Sequence, residues 1–105
     1  MNSQLEFSTN YLLSGQAAPV TGNYVGVSRS HELSFLVYAS GLSGNASMIY
    51  YYPSPFFMGD DVPFYTQTIS GNGYSDTLYM TTPIPHVKVA VSGVGNFWVS
   101  VTQQN

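Results

Sequence analysis

Residues 85–105, PHVKVAVSGVGNFWVSVTQQN, carry two runs of strict alternation. Val87, Val89 and Val91 alternate with His86, Lys88 and Ala90; after a Gly-containing break, Phe97, Val99 and Val101 alternate with Trp98, Ser100 and Thr102. A period of two is that of a strand with one buried face, so the six apolar positions are expected to fill a core. The break SGVGN is expected to close a β-hairpin, with Lys88 and Trp98 facing outward. The sequence stops within a few residues of the second run, which predicts no separate C-terminal binding arm.

The same grammar extends upstream. QLEFSTNYLL is expected to place Leu5, Phe7 and Thr9 on one face, and NYVGVSR follows the Gly/Pro-rich stretch SGQAAPVTG. ELSFLVYAS is apolar on both faces, with Leu33, Phe35, Val37 and Ala39 on one and Leu36 and Tyr38 on the other, which predicts a central strand. GLSGN, the loop PSPFFMGDDVP and SGNGYS, with Asn-Gly at 72–73, separate ASMIYYY, FYTQTI and DTLYMTT. No segment shows helical periodicity, and no internal repeat or domain boundary is visible. About eight short strands at roughly 10–13-residue spacing predict an all-β fold, an antiparallel β-sandwich of jelly-roll or immunoglobulin-like type, as a single domain over 1–105.

Composition narrows the function. Charged residues make up 7% of the chain, against about 25% in an ordinary globular protein. Two basic residues, Arg29 and Lys88, cannot neutralise a phosphate backbone, so nucleic acid is excluded as a partner, and an anionic membrane surface with it. No stretch is long enough to span a bilayer, and the first ten residues, MNSQLEFSTN, lack the features of a secretion leader. Zero cysteines exclude disulfides, thiolate metal sites and cysteine nucleophiles. A surface of Ser, Thr, Asn, Gln, Gly and Tyr is what a chain shows when much of it meets other protein.

Candidate chemistry is sparse. There is no GxSxG elbow, His31 lies in the turn SRSHE, and His86 opens a strand, so no catalytic residue is assigned. The carboxylates are Glu6, Glu32, Asp60, Asp61 and Asp76; only Asp60 and Asp61 are adjacent, and they are weak calcium candidates. Asn45-Ala46-Ser47 matches the N-glycosylation pattern, without a leader to give it meaning. GNG and GVG join strand to strand and open no phosphate-binding helix. No cofactor is expected. The unusual stretch is MIYYYPSPFF. Tyr50 and Tyr52 should share one face and Tyr51 the other, and Phe56 and Phe57 sit in the following loop. Core packing and an interface are both open uses of these rings; tyrosine suits interfaces because it joins large area to a polar tip.

The final HVKVAVSGVGNFWVSV, with ELSFLVYASGLSGNASMIYYYPSP as paired strands around a Gly/Ser turn, resembles the small all-β virion proteins of tailed bacteriophages, the capsid decoration (cement) type above all. That resemblance implies a non-enzymatic structural role on the capsid surface. It implies docking on the major capsid protein or another virion protein, homo-oligomers (dimers or trimers), and synthesis in the host cytoplasm without a signal peptide. The interface candidates are Tyr50, Tyr51, Tyr52, Phe56, Phe57 and Trp98, with the strand from Gln4 to Tyr11 as a second docking route. The alternative is a glycan-binding module or a tail or receptor-binding accessory protein. Its platform would be Tyr51, Trp98 and the loop from Pro53 to Asp61.

Overall fold

A computed structural model describes residues 7–27, 32–75, 78–80 and 85–104. The described residues form ten short strands: β1 (Phe7–Ala17), β2 (Val20–Thr21), β3 (Val25–Gly26), β4 (Glu32–Ser40), β5 (Ala46–Pro53), β6 (Asp61–Ile69), β7 (Gly73–Tyr74), β8 (Leu78–Met80), β9 (His86–Ser92) and β10 (Asn96–Gln104). Sheet I has the order β1-β10-β4-β7, with β8 pairing further along the same edge of β4; sheet II has the order β2-β9-β5-β6, with β3 also on β9. All described pairs are antiparallel. Counting β2 with β3 and β7 with β8 as interrupted strands gives eight positions in two four-stranded sheets. That is the jelly-roll alternative of the two expected architectures.

The alternation predicted the faces correctly. Leu33, Phe35, Val37 and Ala39 of β4, Val87, Val89 and Val91 of β9, and Phe97, Val99 and Val101 of β10 are all buried. β4 has neighbours on both edges, as its apolar character predicts. The edge of Phe35 meets the ring of Tyr50 across the two sheets at 5.1 Å.

The expected pairing is overturned at two turns. β9 and β10 form no hairpin: β9 belongs to sheet II and β10 to sheet I, so their valines face each other across the core. Gly93 (φ 120°) and Gly95 (φ 147°) carry the chain over the edge of the sandwich. The backbone of that arch bonds outward, Val94 O accepting from Ser43 N at 3.1 Å and Gly95 O from Ala18 N at 2.8 Å. β4 and β5, expected to pair around GLSGN, likewise lie in different sheets. Asn-Gly at 72–73 leads from sheet II to sheet I, and the Asn72 side chain accepts from Leu42 N at 2.9 Å. Only β5 and β6, among the described strands, form a hairpin of consecutive neighbours, and its loop is the aromatic one.

β1 departs from simple alternation as well. Bulges fall between Tyr11 and Leu13 and between Ser14 and Gln16. The first sends both Leu12 and Leu13 into the core and leaves Thr9 and Tyr11 outside. Leu5 and the remaining residues before Phe7, His31, Arg29 and Asp76 lie outside the described residues.

Candidate docking surfaces

Cross-strand register assembles a surface that no single stretch of sequence contains. Ser14, Trp98, Tyr38 and Tyr74 are successive partners across β1, β10, β4 and β7, and Tyr11, Ser100 and Leu36 form the adjacent row. All point away from sheet II. Tyr38 stands edge-on to Tyr74 at 4.9 Å and to Trp98 at 5.4 Å. Such pairs contribute about 0.5–1.5 kcal/mol beyond area burial, enough to hold the rings in place on an open face. Even so, Tyr74 is 75% exposed and Tyr11 66%. Together with Leu36, Thr9 and Ser100 they line an open, uncharged groove of about 580 Å³.

Gly15 sets the position of Trp98. It is the extra residue of the second bulge, with φ 76°, and a Cβ there would lie 3.0 Å from Cζ2 of the indole. Gly15→Ala is therefore expected to cost about 1–3 kcal/mol from the backbone conformation and to displace the indole. Trp98 is the only tryptophan, so its fluorescence maximum reports the displacement directly. An unchanged spectrum and melting temperature would refute the packing described.

The second surface is the β5–β6 loop. Ser54 Oγ accepts from Phe56 N and Phe57 N at 3.1 Å each, Ser54 N donates to Asp60 O at 3.0 Å, and Asp60 N donates to Phe57 O at 3.2 Å. Gly59 at φ 92° completes the turn. These bonds give the loop a defined shape, and that shape puts apolar side chains into water: Phe56 is 84% exposed, Phe57 68% and Met58 fully. An ordered, solvent-facing apolar tip of this kind is a candidate interaction site.

The remaining candidates behave differently. Tyr50 is completely buried, its ring against Phe35 and its hydroxyl 3.4 Å from Gln67 Oε1, and it cannot touch a partner. Burial pushes its phenol far above the ordinary range. Tyr52 is half-buried beside Phe64 at 5.9 Å. Tyr51 lies on the outer face of sheet II, where Lys88 Nζ is 5.8 Å from its ring.

Asp61, a calcium candidate, is already engaged. Its Oδ2 accepts from Lys88 Nζ at 2.6 Å and its Oδ1 from Tyr24 OH at 2.6 Å. Among the described residues no group of three or more potential metal-ligating His, Asp or Glu side chains comes together, and the Asp61 carboxylate is held by Lys88 and Tyr24. The hydrogen bond from Lys88, then that from Tyr24, lower the Asp61 pKa. A depressed carboxylate contributes stability that is present above its unfolded pKa of about 3.9 and is lost as pH falls through the folded value. Asp61→Asn should therefore melt below the wild type at pH 5–8, and the two curves should converge below about pH 4. A gap independent of pH would show that the ion pair is not its source.

Sequence reasoning named Trp98, Phe56 and Phe57, the Pro53–Asp61 loop that holds Met58 and the strand that ends at Tyr11 as docking candidates; it did not name Tyr38 or Tyr74. The outward direction of Leu36 and Tyr38 was legible from alternation; their convergence with Tyr11 and Tyr74 depends on register and on the β1 bulge.

A jelly roll with an uncharged apolar groove on one face and an exposed apolar loop tip is the class these observations define. No family model and no curated protein matches the chain. In fold it is similar to the SPBc2 prophage-derived protein YomS, with a TM-score of 0.75 and 13% identity over 100% of this chain and 98% of that one. It is also similar to a structure from work on Bacillus endospore appendages, described as a novel family of disulfide-linked pili (TM-score 0.56, 9% identity, 98% and 92% covered). A third similar structure is PirA (TM-score 0.52, 11% identity, 100% and 96% covered). At these identities the likeness is one of fold.

Proposed function

We propose that this chain is a non-enzymatic structural protein of a virion that docks on the major capsid protein as a decoration or cement protein and stabilises the shell. The observation that carries the reading is the pair of outward apolar surfaces, the Tyr11–Tyr38–Tyr74–Trp98 groove and the Phe56–Met58 tip, on a chain with 7% charged residues. Contacts of this kind tolerate salt, and repetition by capsid symmetry makes modest single interfaces sufficient. The fold likeness to a prophage-derived protein supports placing it in a virion, and the likeness to a pilus-related structure supports homo-oligomers. Unlike disulfide-linked pili, this 105-residue sequence has no cysteine, so its residues form no disulfide between copies. The chain acts as a single domain over 1–105.

Co-sedimentation with capsids of the same virus lacking this protein tests the reading. Saturable binding at a fixed ratio to the major capsid subunit is expected; no binding by folded protein overturns it. A second reading, a glycan-binding module, is favoured by one feature, the hydroxyls of Thr9 and Ser100 beside the aromatic groove. Silence across a broad glycan array would end it.

A further inference from the structure

We infer that the two apolar surfaces are halves of one contact between copies of this chain, the Phe56–Phe57–Met58 tip of one copy seated in the Tyr11–Tyr38–Tyr74–Trp98 groove of the next. This deepens the homo-oligomer part of the proposed function and does not depend on capsid binding.

Four observations lead there. The shapes are opposite: a hydrogen-bonded hairpin tip projecting three apolar side chains, and an open groove of about 580 Å³ with aromatic walls. Neither surface can satisfy the other within one chain, because the tip belongs to the hairpin of sheet II and the groove is on the face of sheet I that looks away from sheet II. The groove lining carries no charged side chain, so an apolar occupant meets no unpaired charge there. Finally, the areas match. At about 150–250 Å² per aromatic side chain, the exposed fractions of Phe56 and Phe57 amount to roughly 300 Å², with Met58 adding to them. The four groove rings expose roughly 400 Å² on the same basis. Each side thus supplies about half of the 800 Å² per partner of a standard interface, with the rim to supply the rest. A single contact is therefore weak.

Where the free groove of one copy lies clear of its partner's tip the contact is heterologous and growth continues into a ring or an open filament; where the two meet, a two-fold dimer closes with two reciprocal tip-in-groove contacts.

Sedimentation velocity of the full chain over a range of concentrations reads this out, without capsids. The tip variant is Phe56→Ser with Phe57→Ser. The groove variant is Tyr11→Ser with Tyr74→Ser, and Leu36→Lys is a second groove variant that puts a charge in the lining. All five positions are solvent-facing, and circular dichroism establishes that each variant folds. Wild type is expected to self-associate with rising concentration, and each variant alone to do so at least tenfold more weakly. A mixture of tip variant and groove variant restores one contact only, giving a dimer and nothing larger. Trp98 emission should change on wild-type assembly and in the mixture, and stay constant in the tip variant. The inference is overturned by a wild type that remains monomeric, by variants that assemble normally, or by a mixture that forms no dimer. It is equally overturned if the groove variants lose glycan binding while assembly is unchanged. Failure of capsid co-sedimentation with these results intact would refute the decoration role alone.

Discussion

Phe35→Ala is expected to lower folding stability by about 3–5 kcal/mol, the usual cost of emptying a buried phenylalanine site. In a domain of about this size each kcal/mol corresponds to roughly 4–8 °C, so the melting temperature should fall by at least about 12 °C. Phe35 is 1% exposed, lies opposite Val101 in sheet I, and meets Tyr50 of sheet II edge-on. Its removal leaves a void between the layers where neither strand can close in without breaking its own ladder. Phe56→Ala is the matched control: the same chemistry at an 84% exposed site should change stability by less than about 0.5 kcal/mol. Thermal denaturation followed by circular dichroism compares the two. Equal melting temperatures would disprove the layer assignment of β4.

The second large effect is expected at Gly93. Its φ of 120° lies where side chains are rarely accommodated, and a Cβ would sit 3.0 Å from the Cα of Ala46 and 3.1 Å from its Cβ. Strain and overpacking each contribute on the order of 1–3 kcal/mol, so Gly93→Ala should destabilise by about 3 kcal/mol. The contact is with backbone at the start of β5, which cannot swing aside as a side chain would. Gly41→Ala is the comparison, since it shares a positive φ of 67° but meets nothing within 4 Å. It should cost about 1 kcal/mol, and urea denaturation resolves the difference. Parity between the two would show that the arch over Ala46 is looser than described.

The contrast between these glycines explains how far the sequence could be read. Alternation at Leu33–Ala39, Val87–Val91 and Phe97–Val101 located the core because burial depends only on which face a residue takes. Pairing depends on where the chain goes after each turn, and the Gly-rich segments at 41–45, 71–73 and 93–95 have the composition of hairpins and arches alike. What distinguishes an arch here is the contact it makes elsewhere, such as Gly93 with Ala46 or Asn72 with Leu42, between residues far apart in sequence. The candidate surfaces divide in the same way. Phe56 and Phe57 could be read locally, from a Pro- and Gly-bounded loop, whereas Tyr11 needed a bulge to turn it outward and Tyr50 needed the opposite sheet to bury it.

The ladder between β1 and β10 pairs Phe7 with Gln104. Of the described strands the first therefore finds its partner only when the last has been made, and β4 needs the same strand on one of its edges. Apart from the β5–β6 hairpin, no consecutive pair among the described strands is joined in one sheet as direct neighbours. Folding on this plan waits for nearly the whole chain, and non-local pairing of this kind is slow. Until then the chain exposes its valine and phenylalanine strands to aggregation, and removing β10 should leave a chain that cannot fold at all rather than a shortened sandwich.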